Sequence, residues 1–235
     1  MQSNMNLQNG IFISTIFEDT GITHGFSTRS WGNLGFGKNP GDPEVISNRK
    51  ALFEALKLTD RNHIQPKQVH SNRGVSSSEF QPGLEADATF TGSKQDLLSI
   101  LTADCLPILV YHPLGVIAAI HAGWRGLYGG VIPNALSMLP PKPIVAIGPS
   151  IGPCCYEVSE DLANQFRDKF GAEVIVAEPE RKPHLDLQRA AWIQLQKAGI
   201  EDIDIANICT HCHPDLFFSY RRDGSSGRMM SFIGL

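Results

Sequence analysis

The chain has 235 residues, of which 42% are hydrophobic, and 20 Lys and Arg stand against 24 Asp and Glu for a formal charge of −4. That length and apolar content fit one large domain, and 19% charged residues is too few for a disordered or coiled-coil chain. Scattered cations argue against a nucleic-acid partner, and the apolar runs, broken by Asp104 and His121, are too short to span a bilayer.

In chain order, residues 1–10 are polar and read as a disordered N-terminal segment, leaving 11–235 as one domain. Segments 11–17 and 22–27 read as strands around the turn residues Asp19 to Gly21. A Gly- and Asn-rich loop, 30–42, precedes a helix that Asp42-Pro43 starts and that runs to about Leu58. Strands follow near 68–70, 88–90, 97–102, 108–111 and 116–121, the last three nearly all apolar, as expected for strands covered on both faces. Helices are expected over 127–139, 159–170 and 186–198, the last closed by Gly199, with strands at 143–147, 173–176, 203–208, 217–220 and 229–233. Strands outnumber helices and alternate with them in groups, which predicts an α+β fold: mixed sheets with helices on the outer faces.

Chemistry concentrates in three places. Cys105 lies in Leu101-Thr-Ala-Asp-Cys-Leu-Pro-Ile, His121 ends the apolar run Val116-Ile-Ala-Ala-Ile-His, and His70 lies in Lys67-Gln-Val-His. Two imidazoles and one thiolate make a three-ligand zinc site with an open fourth position, the arrangement of a working rather than a stapling metal. Asp104, inside an apolar run, needs a partner if buried, and the second N–H of a ligating His would supply one. Asp87, in Glu85-Ala-Asp-Ala-Thr89, is a second candidate, and capping of turns is the competing reading for both. Arg29, Lys67 and Arg125 are candidate anion-binding residues. No Walker loop and no GxGxxG pattern is present.

Five cysteines, an odd number without disulfide-framework spacing, fit a reducing compartment, and the protein reads as cytoplasmic. Adjacent Cys154 and Cys155 read as reduced core or loop residues. The run Cys209-Thr-His-Cys-His213 is too tightly spaced for a zinc finger and lacks a matching pair at a suitable sequence distance, so it reads as a strand end entering a loop, with Cys209 buried.

Taken together, His24-Gly-Phe-Ser-Thr-Arg29, Lys67-Gln-Val-His70, Ala86-Asp-Ala-Thr89, Thr102-Ala-Asp-Cys-Leu-Pro107, His121-Ala-Gly-Trp-Arg-Gly126, Gly148-Pro-Ser-Ile-Gly-Pro-Cys-Cys-Tyr-Glu157 and Phe218-Ser-Tyr-Arg-Arg-Asp-Gly224 resemble the laccase-domain family, also called the multicopper polyphenol oxidase or purine nucleoside phosphorylase family. The resemblance runs from about residue 22 to the C-terminus. It implies a single-domain mixed-sheet sandwich related to cysteine hydrolases, with His70, Cys105 and His121 converging on one zinc. It further implies phosphorolysis of adenosine, inosine, guanosine and methylthioadenosine, with adenosine deamination, so that the partners are a purine nucleoside and phosphate. Asp104 or Asp87 would then handle protons, and Arg29, Lys67 and Arg125 would clamp phosphate.

Copper-dependent polyphenol oxidation is an older attribution of the family, and correction of peptidoglycan precursors is another. Multicopper catalysis needs several linked centres, whereas only eight His occur here. Copper could load a single His-Cys-His trio, as the Irving–Williams order allows. A third reading makes Cys105 a metal-free nucleophile activated by His121. The loop Ser30-Trp-Gly-Asn-Leu-Gly-Phe-Gly37 is shorter than the family's usual insert, which points to a different specificity if that loop closes over substrate.

Overall fold

The computed structural model describes residues 4–37, 39–177, 181–224 and 227–235. Its strands are β1 (Met5–Gln8), β2 (Ile11–Ser14), β3 (Thr23–Ser27), β4 (Asn62–Ile64), β5 (Gly74–Ser76), β6 (Ala88–Thr91), β7 (Asp96–Thr102), β8 (Leu106–His112), β9 (Val116–Ala122), β10 (Ile144–Ile147), β11 (Ile175–Val176), β12 (His184–Leu185), β13 (Ile203–Ile205) and β14 (Met229–Gly234). The helices are α1 (Pro43–Ala55), α2 (Trp124–Gly129), α3 (Val131–Leu136), α4 (Glu160–Phe170), α5 (Leu187–Lys197) and α6 (Tyr220–Asp223).

Two mixed six-stranded sheets, in the orders β1-β2-β3-β14-β7-β4 and β13-β10-β8-β9-β6-β5, carry the architecture. The two-residue period of the strands sorts their side chains into three cores. Phe12, Phe26, Ile100 and Ile233 of the first sheet meet Leu109, Ile117, Ala119 and Ala146 of the second in the layer between them. The opposite face of the second sheet (Leu106, Ile108, Val110, Ala118, Ile120) is covered by apolar residues of α2 to α5. Leu52 of α1 and the following Leu58 cover Leu97, Met230 and Phe232 on the back of the first. The expected mixed α+β sandwich with outer helices is therefore observed.

Helix starts follow their capping chemistry. Asp42 accepts from the Glu44 N–H, with Pro43 opening α1, and Ser159 and Asp186 cap α4 and α5 in the same way. The expected 127–139 helix is split, because Gly130 sits at φ +87° between α2 and α3.

Four expectations are corrected. Residues 5–8 are not frayed: β1 pairs with β2 through a turn at Asn9 (φ +49°) and Gly10 (φ +74°), a two-residue hairpin whose Asn-Gly signature outweighs the polar composition. Residues 1–3 lie outside the described part. Segment 68–70 is no strand, because its N–H groups turn inward onto Asp87, while the Gln68 side chain exchanges hydrogen bonds of 2.7 and 2.8 Å with the Leu101 backbone. Segment 217–220 is no strand either: Ser219 caps α6, and the Arg222 guanidinium takes the Phe217 carbonyl. Finally, β13 stops at Ile205, before Asn207 at φ +52°. The short β4, β5 and β12, two or three residues each, are set by pairing rather than by local pattern.

Candidate functional site

His121 sits near the end of β9 on the side shared by Ile117 and Ala119, so the strand period aims its ring between the sheets, and it is 2% exposed. Its neighbour in the ladder is Pro107 on β8, which places Cys105, two residues earlier, at the same edge. His70 arrives from the irregular segment before β5. Its Nε2 lies 3.6 Å from Cys105 Sγ, and its ring meets that of His121 edge-on at a centroid distance of 4.8 Å. One donor atom from each of the three lies within 4.8 Å of the others. A soft thiolate with two imidazoles is a fitting donor set for a zinc-like ion with an open coordination position.

Asp87 organises this trio. Its carboxylate accepts the backbone N–H groups of Val69, His70 and Ser71 and the Ser71 hydroxyl. It also accepts from His121 Nδ1 at 2.8 Å. Burial would raise this carboxyl, but the His121 and Ser71 hydrogen bonds outweigh it and hold it down to about 2. An ionised carboxylate can only accept, so His121 carries its proton on Nδ1 and turns Nε2 toward Cys105. The same contacts hold His70 in the left-handed region at φ +60°, a conformation that costs energy unless its surroundings impose it. The carboxylate beside the histidine is thus Asp87.

Asp104, the residue expected in that place, is spoken for elsewhere. Thr210 Oγ1 donates to its Oδ1 at 2.6 Å, and Ser219 Oγ and the Arg221 N–H donate to Oδ2 at 3.0 and 2.7 Å. These bonds hold Asp104 at φ +89° and thereby fix the direction in which Cys105 leaves the turn.

Burial would raise the Cys105 thiol, but the charge and hydrogen bonds of His121 and His70 reverse this and bring it down to about 6. Burial would likewise lower His121, and the Cys105 thiolate and Asp87 raise it to about 9. Without metal the pair is a thiolate–imidazolium couple near neutrality.

The trio opens on a cleft of about 1480 Å³. Lys67 and Arg125 line it, as do Arg49, Arg221 and Arg228, which sequence reasoning missed. Lys67 pairs with Glu85 at 2.7 Å, and Arg125 stacks on Trp124 at 4.3 Å. Arg29 is not among the lining residues: it donates to the Pro214 carbonyl at 2.6 Å and stacks on Phe218 at 4.8 Å. Aromatic faces come from Phe36, Phe80, Trp124, Tyr156 and Tyr220. The short loop after residue 30 forms one wall and is braced by α1, with Asn48 donating to the Asn33 carbonyl and Arg49 to that of Leu34.

Gly123, directly after β9, is required for space. A Cβ there would stand 2.5 Å from His70 Cδ2 and 3.2 Å from Cys105 Sγ. Its φ of −69° suits any residue. Gly123→Ala is therefore expected to fold but to displace His70, lowering turnover on the order of 100-fold; unchanged kinetics and metal content would show that the ring yields without consequence.

The four remaining cysteines also meet, contrary to the separate readings of the two sequence segments. Donor atoms of Cys154, Cys155, Cys209 and Cys212 all lie within 4.8 Å of one another. Folding supplies the matching pair that linear spacing lacked.

No helix among the described residues is long and apolar enough to cross a membrane. The family model for multi-copper polyphenol oxidoreductase laccase matches residues 20–235. Similar proteins include "Purine nucleoside phosphorylase YlmD" of Geobacillus stearothermophilus, 35% identical over 238 aligned residues that cover 89% of this chain and 86% of that one. They also include "Purine nucleoside phosphorylase YfiH" of Escherichia coli, 34% identical with 90% of each chain covered. Among solved structures, the hypothetical protein YfiH of Bacillus licheniformis superposes with a TM-score of 0.91 at 28% identity over the full length of both chains. On a match of that extent, carried by both sequence and fold, the chain belongs to the multi-copper polyphenol oxidoreductase laccase family.

Proposed function

We propose that this protein is a zinc-dependent purine nucleoside phosphorylase that acts on adenosine, inosine, guanosine and methylthioadenosine and also deaminates adenosine. The observation that carries the reading is the convergence of His70, Cys105 and His121 on the floor of a cleft rich in cations and aromatic faces. The names of its relatives supply the substrate class. When bound by the trio, zinc supplies Lewis acidity at the cleft floor. Copper could occupy the same donors, as the affinity order of divalent metals allows.

The chain's own groups do the rest. Asp87 keeps His121 protonated at Nδ1 and oriented, so that Nε2 and the Cys105 thiolate face one point. The side chains of Tyr156, Tyr220 and Phe80 offer flat apolar faces to a purine ring. Lys67 and Arg125, joined by Arg49 and Arg221, place positive charge where phosphate would sit. In phosphorolysis a phosphate oxygen bonds to the anomeric carbon as the bond to the purine nitrogen breaks, and its electron pair leaves with the base. Cations lining the cleft would hold the attacking anion against that carbon. Asp104, with both oxygens engaged, acts in this scheme by positioning Cys105 and the Arg221 segment.

The test is metal content of protein purified without added metal, together with adenosine turnover followed chromatographically with and without phosphate. One zinc lost on mutation of the trio, with adenine and ribose phosphate formed only when phosphate is present, supports the reading; inosine in either condition supports deamination. Nucleosides left intact under all conditions overturn it. The lowered Cys105 thiol favours one second reading, a metal-free cysteine hydrolase, and the two separate on the Cys105 variant treated in the Discussion.

Metal affinity at this site has an expected pH dependence. In the metal-free protein the thiolate charge of Cys105 raises His121 and the His121 charge lowers Cys105, so the pair holds one proton near neutrality. Loading the metal there displaces that proton, and apparent affinity rises about tenfold per pH unit. Chelator competition at pH 7 and pH 8 measures it, and equal affinities at the two values would refute the thiolate–imidazolium couple.

A further inference from the structure

We propose that Cys154, Cys155, Cys209 and Cys212 hold a second zinc ion, as a closed tetrathiolate site separate from the His70–Cys105–His121 centre. Each pair comes from a different loop. Cys154 and Cys155 follow β10 in Gly152-Pro-Cys-Cys-Tyr, and Cys209 and Cys212 follow β13 in the spacing Cys-x-x-Cys of metal-binding turns.

The distances decide between the uses four thiols can have. Cys212 Sγ lies 3.5 Å from Cys154 Sγ and 3.3 Å from Cys155 Sγ, and all four donor atoms fall within 4.8 Å of one another. A disulfide needs sulfurs about 2.05 Å apart. A tetrahedron with zinc–sulfur bonds of about 2.3 Å has sulfur–sulfur edges of about 3.8 Å, so only small shifts separate the observed cluster from a coordination shell. Four thiols brought together with no metal would turn weak donors and weak acceptors toward one another. The cluster is open enough to load, since Cys154 and Cys212 are exposed while Cys155 and Cys209 are half-buried.

Surrounding groups suit a thiolate centre. The Gly152 N–H donates to Cys209 Sγ at 3.2 Å, the kind of backbone bond that orients a ligating sulfur. The Arg222 guanidinium, paired with the Asp223 carboxylate at 2.7 Å, donates to the carbonyls of Thr210 and His211 at 3.1 and 3.0 Å, which fixes the shape of the turn that carries Cys209 and Cys212. With four protein sulfurs the ion has no open position, so this zinc braces rather than reacts. Binding replaces the water shell of the ion by four thiolates and releases the thiol protons to solvent.

Bracing here reaches the catalytic cleft. The clipped loops run side by side, Ser150 N–H donating to Ile208 O and Thr210 N–H to Ser150 O. From them Thr210 Oγ1 donates to Asp104, and the Ile151 N–H donates to the Asp104 carbonyl at 2.9 Å. Asp104 precedes Cys105. The second metal thus clamps the two loops that fix the turn from which the first site takes its sulfur.

The test compares wild-type full-length protein with the double variant Cys209→Ser/Cys212→Ser. Elemental analysis is expected to find two zinc ions per wild-type chain and one per variant chain, the remaining one disappearing when Cys105→Ser is added. The variant's melting temperature should fall on the order of 5–10 °C. Because the variant could fail to fold, a second measurement uses the wild type alone. Alkylation followed by peptide mass spectrometry should find the four cysteines protected with zinc and labelled after chelation, in a protein that keeps its circular dichroism. Equal labelling with and without zinc would overturn the site, as would intact masses showing disulfides or iron as the bound element.

Discussion

Cys105→Ser is expected to remove the metal from the His70–Cys105–His121 centre and to lower nucleoside turnover at least about 1000-fold, beyond the 10–100-fold typical of a partner outside the ligand set. Serine keeps the size and loses the thiolate. A hydroxyl is not ionised near neutrality, so neither the sulfur ligand nor the charge that raises His121 survives. The loop should stay in place, because the Asp104 contacts with Thr210, Ser219 and Arg221 do not involve the sulfur. Metal content and turnover measured together separate the two chemical uses of the residue. Loss of both identifies a ligand. A wild type that carries no metal in the trio, with a Cys105→Ser variant that loses all turnover, identifies a nucleophile, and a variant that keeps both metal and turnover would remove Cys105 from the chemistry.

The positions of Cys105 and His121 were legible because the physics is local. Each stands where a continuous apolar strand meets a loop, the edge at which a rigid strand presents a side chain to a ligand, although either residue alone reads as part of the core. His70 was legible only as the second imidazole that completes the donor set, since its segment, read as a strand, takes its shape from one carboxylate instead. The exchange of roles between Asp87 and Asp104 was not legible. Both are acidic residues among small apolar neighbours, and only the register of β6 against β9, which sets Ala88 opposite Ile120, tells which carboxylate lies beside His121. The same register delivers the His121 N–H to the Asp87 carbonyl at 2.7 Å.

Long-range features were lost for the same reason. The two cysteine pairs lie on opposite sides of α4 and α5 in the chain, and no spacing rule spans that distance. Arg49 reaches the cleft from α1 because the loop ahead of that helix folds back over it, with Phe36 on the guanidinium at 4.4 Å. Burial lowers this guanidinium to about 10, which a reading of α1 as a solvated helix would not suggest. By contrast the strand-helix alternation, the apolar central strands and the caps at Asp42, Ser159 and Asp186 each rest on neighbours in sequence, and these set the fold class correctly.

Asp87→Asn carries the second large effect, and it acts on stability and metal together. The carboxylate is fully buried and accepts from three backbone N–H groups, one hydroxyl and His121 Nδ1. An amide keeps one acceptor oxygen and turns an NH2 toward the other donors, leaving buried N–H groups facing N–H groups. Removing one partner of a buried ionic network costs roughly 3–5 kcal/mol. With the His121 ring no longer fixed, metal affinity should drop about 10–100-fold. Acid pH gives the charge-specific signature. The Asp87 carboxyl is held at about 2 in the folded protein against 3.8 ordinarily. Its ionic contribution is therefore present above pH 4 and lost as the pH falls toward 2, which amounts to roughly 2 kcal/mol. The stability difference between wild type and variant, read from denaturant curves at several pH values, should shrink by about that amount over this range. A difference that stays constant with pH would mean that Asp87 acts through packing alone, and that the order of the metal site does not depend on its charge.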